Sequence, residues 1–243
     1  CGTAGSCLLC NVTGSPMAAP GFVKFEVSEQ ASHVYPCAGA SCDNACRCPF
    51  HTTTCDFATD LVNTQGLAGQ QECTPTSTGS LDANVYVYGN PTIETITLSG
   101  IVSVGSLVVV NCPDLRTISA PDTTTAGNVT VQSCDSLESM SAPVLSSTGV
   151  FEIDMCSALT SLEAANIRTI GGALTIDGCE SLPGISFPML EVVGGSVAFS
   201  NAAQVQSIGL NMLRSASAVV ISGLGENSRA VLPCSAKQQP WES

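Results

Sequence analysis

Charge is what this 243-residue sequence has least of: Lys and Arg together number 7 and Asp and Glu 20, so 11% of residues are charged and the formal net charge is −13. A chain this acidic offers nothing to offset phosphate repulsion, which argues against nucleic acid and anionic membrane surfaces as partners. Histidine is nearly missing as well. Only His33 and His51 are present, so no Ser-His or Cys-His pair can form in the later two-thirds of the chain without the amino-terminal part. No apolar run approaches the roughly 20 residues of a membrane-spanning helix; the stretch 102–110 is too short and is interrupted by Gly105. The tail AKQQPWES is polar and carries no lipid-anchor signal. No cofactor motif is present, and none is expected.

Cysteine, by contrast, is abundant. Fourteen cysteines in a chain of this size point to an oxidising compartment. The sequence opens on Cys1 with no charged and apolar leader before it, which reads as a mature form of a secreted protein. With so few charges and so much Ser, Thr and Gly, hydroxyls, glycans or burial in an assembly would keep its surface soluble.

The cysteines divide the chain. Nine lie before residue 74 (Cys1, Cys7, Cys10, Cys37, Cys42, Cys46, Cys48, Cys55 and Cys73), and segments so rich in Cys, Gly and Pro fold around disulfides for want of apolar residues. Residues 1–80 are therefore read as a disulfide-stapled amino-terminal cap, 81–232 as the body and 233–243 as a tail. Within the cap, the alternation over 22–27 predicts a strand, and 56–67 could be a short helix lying as a lid across the body's first exposed edge. Cys46, Cys48, His51 and Cys55 have a spacing that could hold zinc, but disulfides with a surface His are the simpler reading, and no metal site is assigned.

The body is one pattern written five times from Gly105 to Leu213: GSLVVVNCPDLRTISAPDTTTA, GNVTVQSCDSLESMSAPVLSST, GVFEIDMCSALTSLEAANIRTIG, GALTIDGCESLPGISFPMLEVVG and GSVAFSNAAQVQSIGLNMLRSAS. A fixed period in the low twenties is the mark of a solenoid. Alternating apolar residues after each Gly (Leu107 and Val109, Val129 and Val131, Phe151 and Ile153) give a short strand with one buried face. Apolar residues three apart follow (Leu115 and Ile118, Leu137 and Met140), which suits a coil that turns corners around a narrow core and is too sparse for packed helices. The expected fold is mainly β: a right-handed parallel β-solenoid of about seven rungs of about 22–23 residues, roughly 30–35 Å long at about 4.8 Å per rung. A degenerate rung from Asn84 precedes the five, with Asn90 in the place of Cys112. A partial rung with Val219, Ile221 and Leu224 follows them, and beyond it the pattern fades.

The rungs LTIDGCESLPGISFPMLEVVGG and NVTVQSCDSLESMSAPVLSSTG resemble those of receptor L domains, and more closely those of fungal cell-surface proteins built from L-domain-like leucine-rich repeats. The resemblance covers roughly residues 84–224. It implies the solenoid fold, and for function either a ligand-binding ectodomain or a wall-organising protein. The fungal pattern usually has Asn where this chain has Cys112, Cys134, Cys156 and Cys179. Bacterial cysteine-containing repeats share C-x-x-L-x-x-I-x-x-P, but their Ala-Phe before the Cys is missing here.

Those four cysteines occupy one position in successive rungs. Stacked Cβ atoms pointing the same way sit farther apart than a disulfide needs, so a ladder of buried, inert thiols is expected. Ten cysteines remain, the nine of the cap and Cys234. Because nine is odd, complete oxidation requires a cap cysteine to pair outside its own segment, with Cys234 as the remaining partner. That bond either closes within one molecule, the simpler route, or joins neighbours into a head-to-tail polymer. Asn11 and Asn128 head N-V-T glycosylation acceptors, and Asn128 should point outward because Val129 and Val131 point in. Asp154 and Asp177 come together on the outside from adjacent rungs, where a glycosidase pair or a calcium site is less expected than a solvated face. The outward positions Val108, Thr130, Glu152, Thr175, Ala198 and Val220 make a mixed surface, not a regular Thr array.

These features favour a secreted structural protein, a subunit of a wall, surface coat or filament that associates end to end with itself or with other extracellular coat or matrix proteins. The alternative is a recognition module that binds a peptide or glycan on its sheet. Enzyme chemistry is not expected.

Overall fold

The computed structural model describes residues 79–225 and 228–232, with residues 82–83 and seven earlier strands described by backbone alone: Leu8–Cys10, Pro16–Ala18, Phe22–Ser28, Ala31–Pro36, Ala45–Arg47, Thr54–Asp56 and Val62–Asn63. Every regular element is a strand, and the body is a parallel β-solenoid of about seven turns.

Alternation with a period of two puts Leu107, Val109, Val129, Val131, Phe151 and Ile153 on the inner face of the long strands, and all are buried. The long strands form one sheet: Ser80–Tyr88, Ser103–Val110, Thr125–Gln132, Ser147–Asp154, Leu174–Asp177, Ser196–Ser200 and Ala218–Ile221, each parallel to the next. Three-residue strands make the opposite face, where Ile96, Ile118, Met140, Ile185 and Ile208 point in and are buried. One core cluster runs from Leu81 to Leu213. Burying each such aliphatic side chain is worth about 1.5–3 kcal/mol, so stacking, not strand propensity, holds the rungs. The buried polar groups are satisfied locally: Asn90 Oδ1 accepts from the Thr92 amide at 3.1 Å, and the Thr123 hydroxyl donates to the Ile101 carbonyl at 2.8 Å.

Rung length is not uniform. The pairings Ser103↔Thr125, Thr125↔Ser147 and Ser147↔Thr169 advance by 22 residues, whereas Thr169↔Val192 and the bridge Val192↔Ser215 advance by 23. The added residue sits at the Gly171-Gly172 and Gly194-Gly195 corners, which divide each long strand in two (Thr169–Ile170 before Leu174–Asp177, Val192–Val193 before Ser196–Ser200).

The short-strand face has a break at the same place. Thr95–Thr97, Thr117–Ser119, Ser139–Ser141 and Ser161–Glu163 form one ladder, and Gly184–Ser186, Ser207–Gly209 and Arg229–Val231 another. At one register position the amides of Arg116, Glu138 and Thr160 each donate to the carbonyl one rung earlier. The next residue in that column is Pro183, which has no N–H to give. Phe187 follows in a column that is Ala in the three preceding rungs (Ala120, Ala142 and Ala164); its ring packs edge-on against Phe151, with centroids 5.7 Å apart.

The structure departs from the sequence reading at both ends. The short helix expected over 56–67 gives way to strands at Thr54–Asp56 and Val62–Asn63. Ala45–Arg47 pairs in parallel with Ser80–Tyr88, Thr54–Asp56 pairs with Thr95–Thr97, and Val62–Asn63 closes the long sheet by running antiparallel to Ala45–Arg47. Thr54 and Val62 are β-branched, which favours strand at an edge that needs a pairing partner. The strand expected over 22–27 forms as Phe22–Ser28, hairpinned with Ala31–Pro36. At the far end the pattern does not fade after Leu224: Arg229–Val231 pairs with Ser207–Gly209 and completes the last rung.

Candidate functional site

The column of four cysteines is the most regular chemical feature of the body. The long strands from Ser103–Val110 to Ser196–Ser200 are each followed by a residue with left-handed backbone (Asn111, Ser133, Met155, Gly178 and Asn201, with φ between 48° and 63°), and the next side chain turns into the core. Asn90, Cys112, Cys134, Cys156, Cys179 and Ala202 succeed one another at this position. The four cysteines are fully buried and free.

Sulfur serves here as both donor and acceptor. The thiols of Cys134, Cys156 and Cys179 donate to the carbonyls of Gln132, Asp154 and Asp177 at 3.5, 3.5 and 3.6 Å. Each sulfur also receives a backbone N–H from the same position one rung earlier: Cys112 from Asn90, Cys134 from Cys112, Cys156 from Cys134 and Cys179 from Cys156. An alanine at this position would leave those N–H groups unpaired in the core.

The protonation of the stack follows from its contacts. Burial, ahead of the nearby Asp154 and Asp177 charges, pushes the Cys179 thiol up to about 11. Contact with the Cys134 sulfur, ahead of burial, pushes the Cys112 and Cys156 thiols up, and the same contacts, Cys112 ahead of Cys156, hold Cys134 down. Cys112, Cys134 and Cys156 thus act as one linked acid, fully buried inside an apolar core. Among the described residues, no group of three or more His, Cys, Asp or Glu could hold a metal ion.

On the outside of the long sheet, Asp154 and Asp177 are register partners. Their carboxylates are engaged by neighbours: Gln132 Nε2 donates to Asp154 at 2.8 Å, and Ser200 Oγ and Asn201 Nδ2 both donate to Asp177 Oδ1 at 2.8 Å. Such bonding ties each carboxylate to one neighbouring rung, Asp154 to the rung before it and Asp177 to the rung after it, and among the described residues no aromatic platform or metal-ligand cluster accompanies the pair. The adjacent column runs Tyr86, Val108, Thr130, Glu152, Thr175, Ala198 and Val220. Asn128 is exposed on this sheet, its amide 3.4 Å from the Ser106 hydroxyl.

The short-strand face carries a feature that the sequence reading missed. Thr95, Thr117, Ser139 and Ser161 form one outward column of hydroxyls, and Thr97, Ser119 and Ser141 form a second beside it. Rungs about 4.8 Å apart and i, i+2 residues about 6.6 Å apart give a flat grid of donors and acceptors. The triplets TIT, TIS and SMS were its signal in the sequence, hidden among many other Ser and Thr residues.

The cap cysteines, Cys234, Asn11 and the Cys46, Cys48, His51 and Cys55 cluster lie outside the residues whose side chains are described. By backbone register, Cys46 stands opposite Val85 and Cys55 opposite Ile96, on the two different sheets. Comparison with family models, with curated proteins and with solved structures found no match to this chain.

Proposed function

We propose that this is a secreted extracellular structural protein, a subunit of a wall, surface coat or filament that assembles through the ends of its solenoid. One observation supports the reading: among the described residues, the last rung has its strands paired on one side only, with Val219, Ile221, Leu224 and Leu232 half-buried, while their counterparts in inner rungs are fully enclosed. An unpaired edge above an apolar core is a template for further stacking. The sparse charge and the lack of a nucleophile paired with a base among the described residues agree with a mechanical role.

Electron microscopy and light scattering of native material under non-reducing conditions provide the test. Filaments or discrete oligomers are expected, and a strictly monomeric protein would sink the reading. Cys234→Ser should weaken polymers if the odd cap cysteine pairs between molecules, and unchanged polymers would reject that bond.

The hydroxyl grid on the short-strand face supports a second reading, an extracellular module that recognises a glycan or peptide. It predicts a soluble monomer with one saturable ligand. Silent glycan and peptide arrays would count against it.

A further inference from the structure

The two ends of the solenoid are finished differently. At the amino-terminal end, the long sheet stops at Val62–Asn63, a two-residue strand that runs antiparallel to its neighbour. Very short edge strands are a common means of blunting a sheet against further pairing. At the carboxyl-terminal end, the last described strand of the sheet is Ala218–Ile221, still in the parallel register of the rungs below and, among the described residues, paired only with Ser196–Ser200. Residues 215–223 read SASAVVISG, with no charge, no proline and no lysine gatekeeper, in a chain whose formal net charge is −13. Val220 is 51% exposed on the outer face, and Val231, on the other terminal strand, is 57% exposed.

Resting on the end-to-end reading above, we propose that the occupant of this edge is a second copy of the same chain, docked tail to tail about a two-fold axis normal to the sheet. A strand can pair with its own symmetry mate only in the antiparallel sense, and such a contact closes after two copies. Inner and outer faces must match across the pair, which puts the axis through a residue and not between two residues. With Val220 on the axis, Val219 of one copy lies opposite Ile221 of the other, both facing the core, and the two Val220 side chains meet on the outside. The long sheet and the apolar face beneath it then run on from copy to copy. Electrostatics agrees along the paired strand, because residues 215–223 bring no carboxylate to the contact in a strongly acidic chain.

Sedimentation velocity of the whole chain over a range of concentrations tests this, with circular dichroism to confirm that each variant is folded. The wild type should form a dimer. Val220→Lys puts two ammonium groups against each other on the axis and should weaken that dimer by about tenfold or more. Val220→Ile should keep it, as should Thr175→Lys, which places the same charge in the same outward column two rungs inward. Hydrogen exchange gives an independent readout: amides of residues 218–222 should gain protection as the wild-type concentration rises and should not in Val220→Lys. A dimer that Val220→Lys leaves unchanged, or one that Thr175→Lys breaks equally, overturns the tail-to-tail contact. Polymers that survive Val220→Lys but dissolve on reduction also overturn it, while leaving end-to-end assembly standing. A wild type that stays monomeric at every concentration removes both.

Discussion

In residues 103–168 each rung advances the register by 22 residues and its long strand runs unbroken past a single glycine; in residues 169–214 each advances by 23 and the strand is divided at a Gly-Gly pair. The two halves otherwise share the left-handed corner, the buried column after it and the outward columns. Their difference shows how a stacked coil absorbs an insertion. A Cβ built on Gly149 would collide with the carbonyl oxygen of Gly127, one rung earlier, so the 22-residue rungs leave no slack at this corner. At Gly171 the nearest atom to such a Cβ is 3.7 Å away, an ordinary contact. The extra residue opens space at Gly171 alone, since a Cβ on Gly194 in the next rung would again collide with the carbonyl oxygen of Gly171; on the opposite face, Pro183 and Phe187 coincide with the break between ladders.

The sharpest test of this contrast is a pair of glycine substitutions. Gly149→Ala should lower the stability of the solenoid by about 3 kcal/mol or more, because backbone and not a movable side chain lies in the way, whereas Gly171→Ala should cost well under about 1 kcal/mol. Denaturant midpoints of the two variants would show it, and equal losses would refute the idea that the corner at Gly171 has slack.

The thiol column distinguishes the halves next. Cys156→Ala removes the acceptor for the Cys134 amide and is expected to cost about 1–3 kcal/mol, while Ala202 fills the same position in the last 23-residue rung with its own amide bonded to the Gly223 carbonyl at 3.1 Å. Cys179 adds a dependence on pH. Its folded value of about 11 lies above the ordinary thiol value of 9.0, so the unfolded chain ionises first; stability is full below about pH 9 and falls as pH rises toward 11. Melting the wild type and Cys179→Ala from pH 7 to 11 should show a steeper alkaline loss in the wild type, and parallel curves would contradict it.

Smaller effects separate the halves at the corner and on the surface. Met155, 49% exposed, holds φ near 48°, where its counterpart Gly178 sits without penalty, so Met155→Gly should be neutral to stabilising by up to about 1 kcal/mol. A clear loss in thermal melts would mean that the Met side chain contributes more than its exposure suggests. Smallest of all, Arg116→Ala breaks a 2.7 Å ion pair with Glu138 whose side chains are 59% and 57% exposed, and should change stability by less than about 1 kcal/mol. Added salt should shrink even that difference.

Most of the body could be read from the sequence because a solenoid repeats its instructions. The period, the inward residues and the coincidence of Cys112, Cys134, Cys156 and Cys179 all follow from alignment of the rungs with one another. What escaped was information carried once. The strands at Thr54–Asp56 and Val62–Asn63 depend on a sheet edge that only the folded body supplies, and Asp56 onward has enough ordinary residues to pass for a helix. Arg229–Val231 is hidden because its inward residue is Ala230, a weak apolar signal beside the Ile or Met of other rungs. The role of sulfur as an acceptor for the preceding rung was likewise out of reach, since spacing places the thiols in a column without saying which backbone groups they meet. The hydroxyl grid was missed for the opposite reason: Ser and Thr are so common here that two ordered columns do not stand out.

One consequence of parallel stacking concerns force. The bonds between rungs lie along the rod's long axis, so a pull on its two ends loads them in tension and frees them one coil at a time. Each released coil of about 22 residues would pay out roughly 75 Å of slack chain before the next begins to yield. A fibre of such rods would dissipate energy gradually under load, and its breaking strength would be set by covalent links and not by the coils themselves.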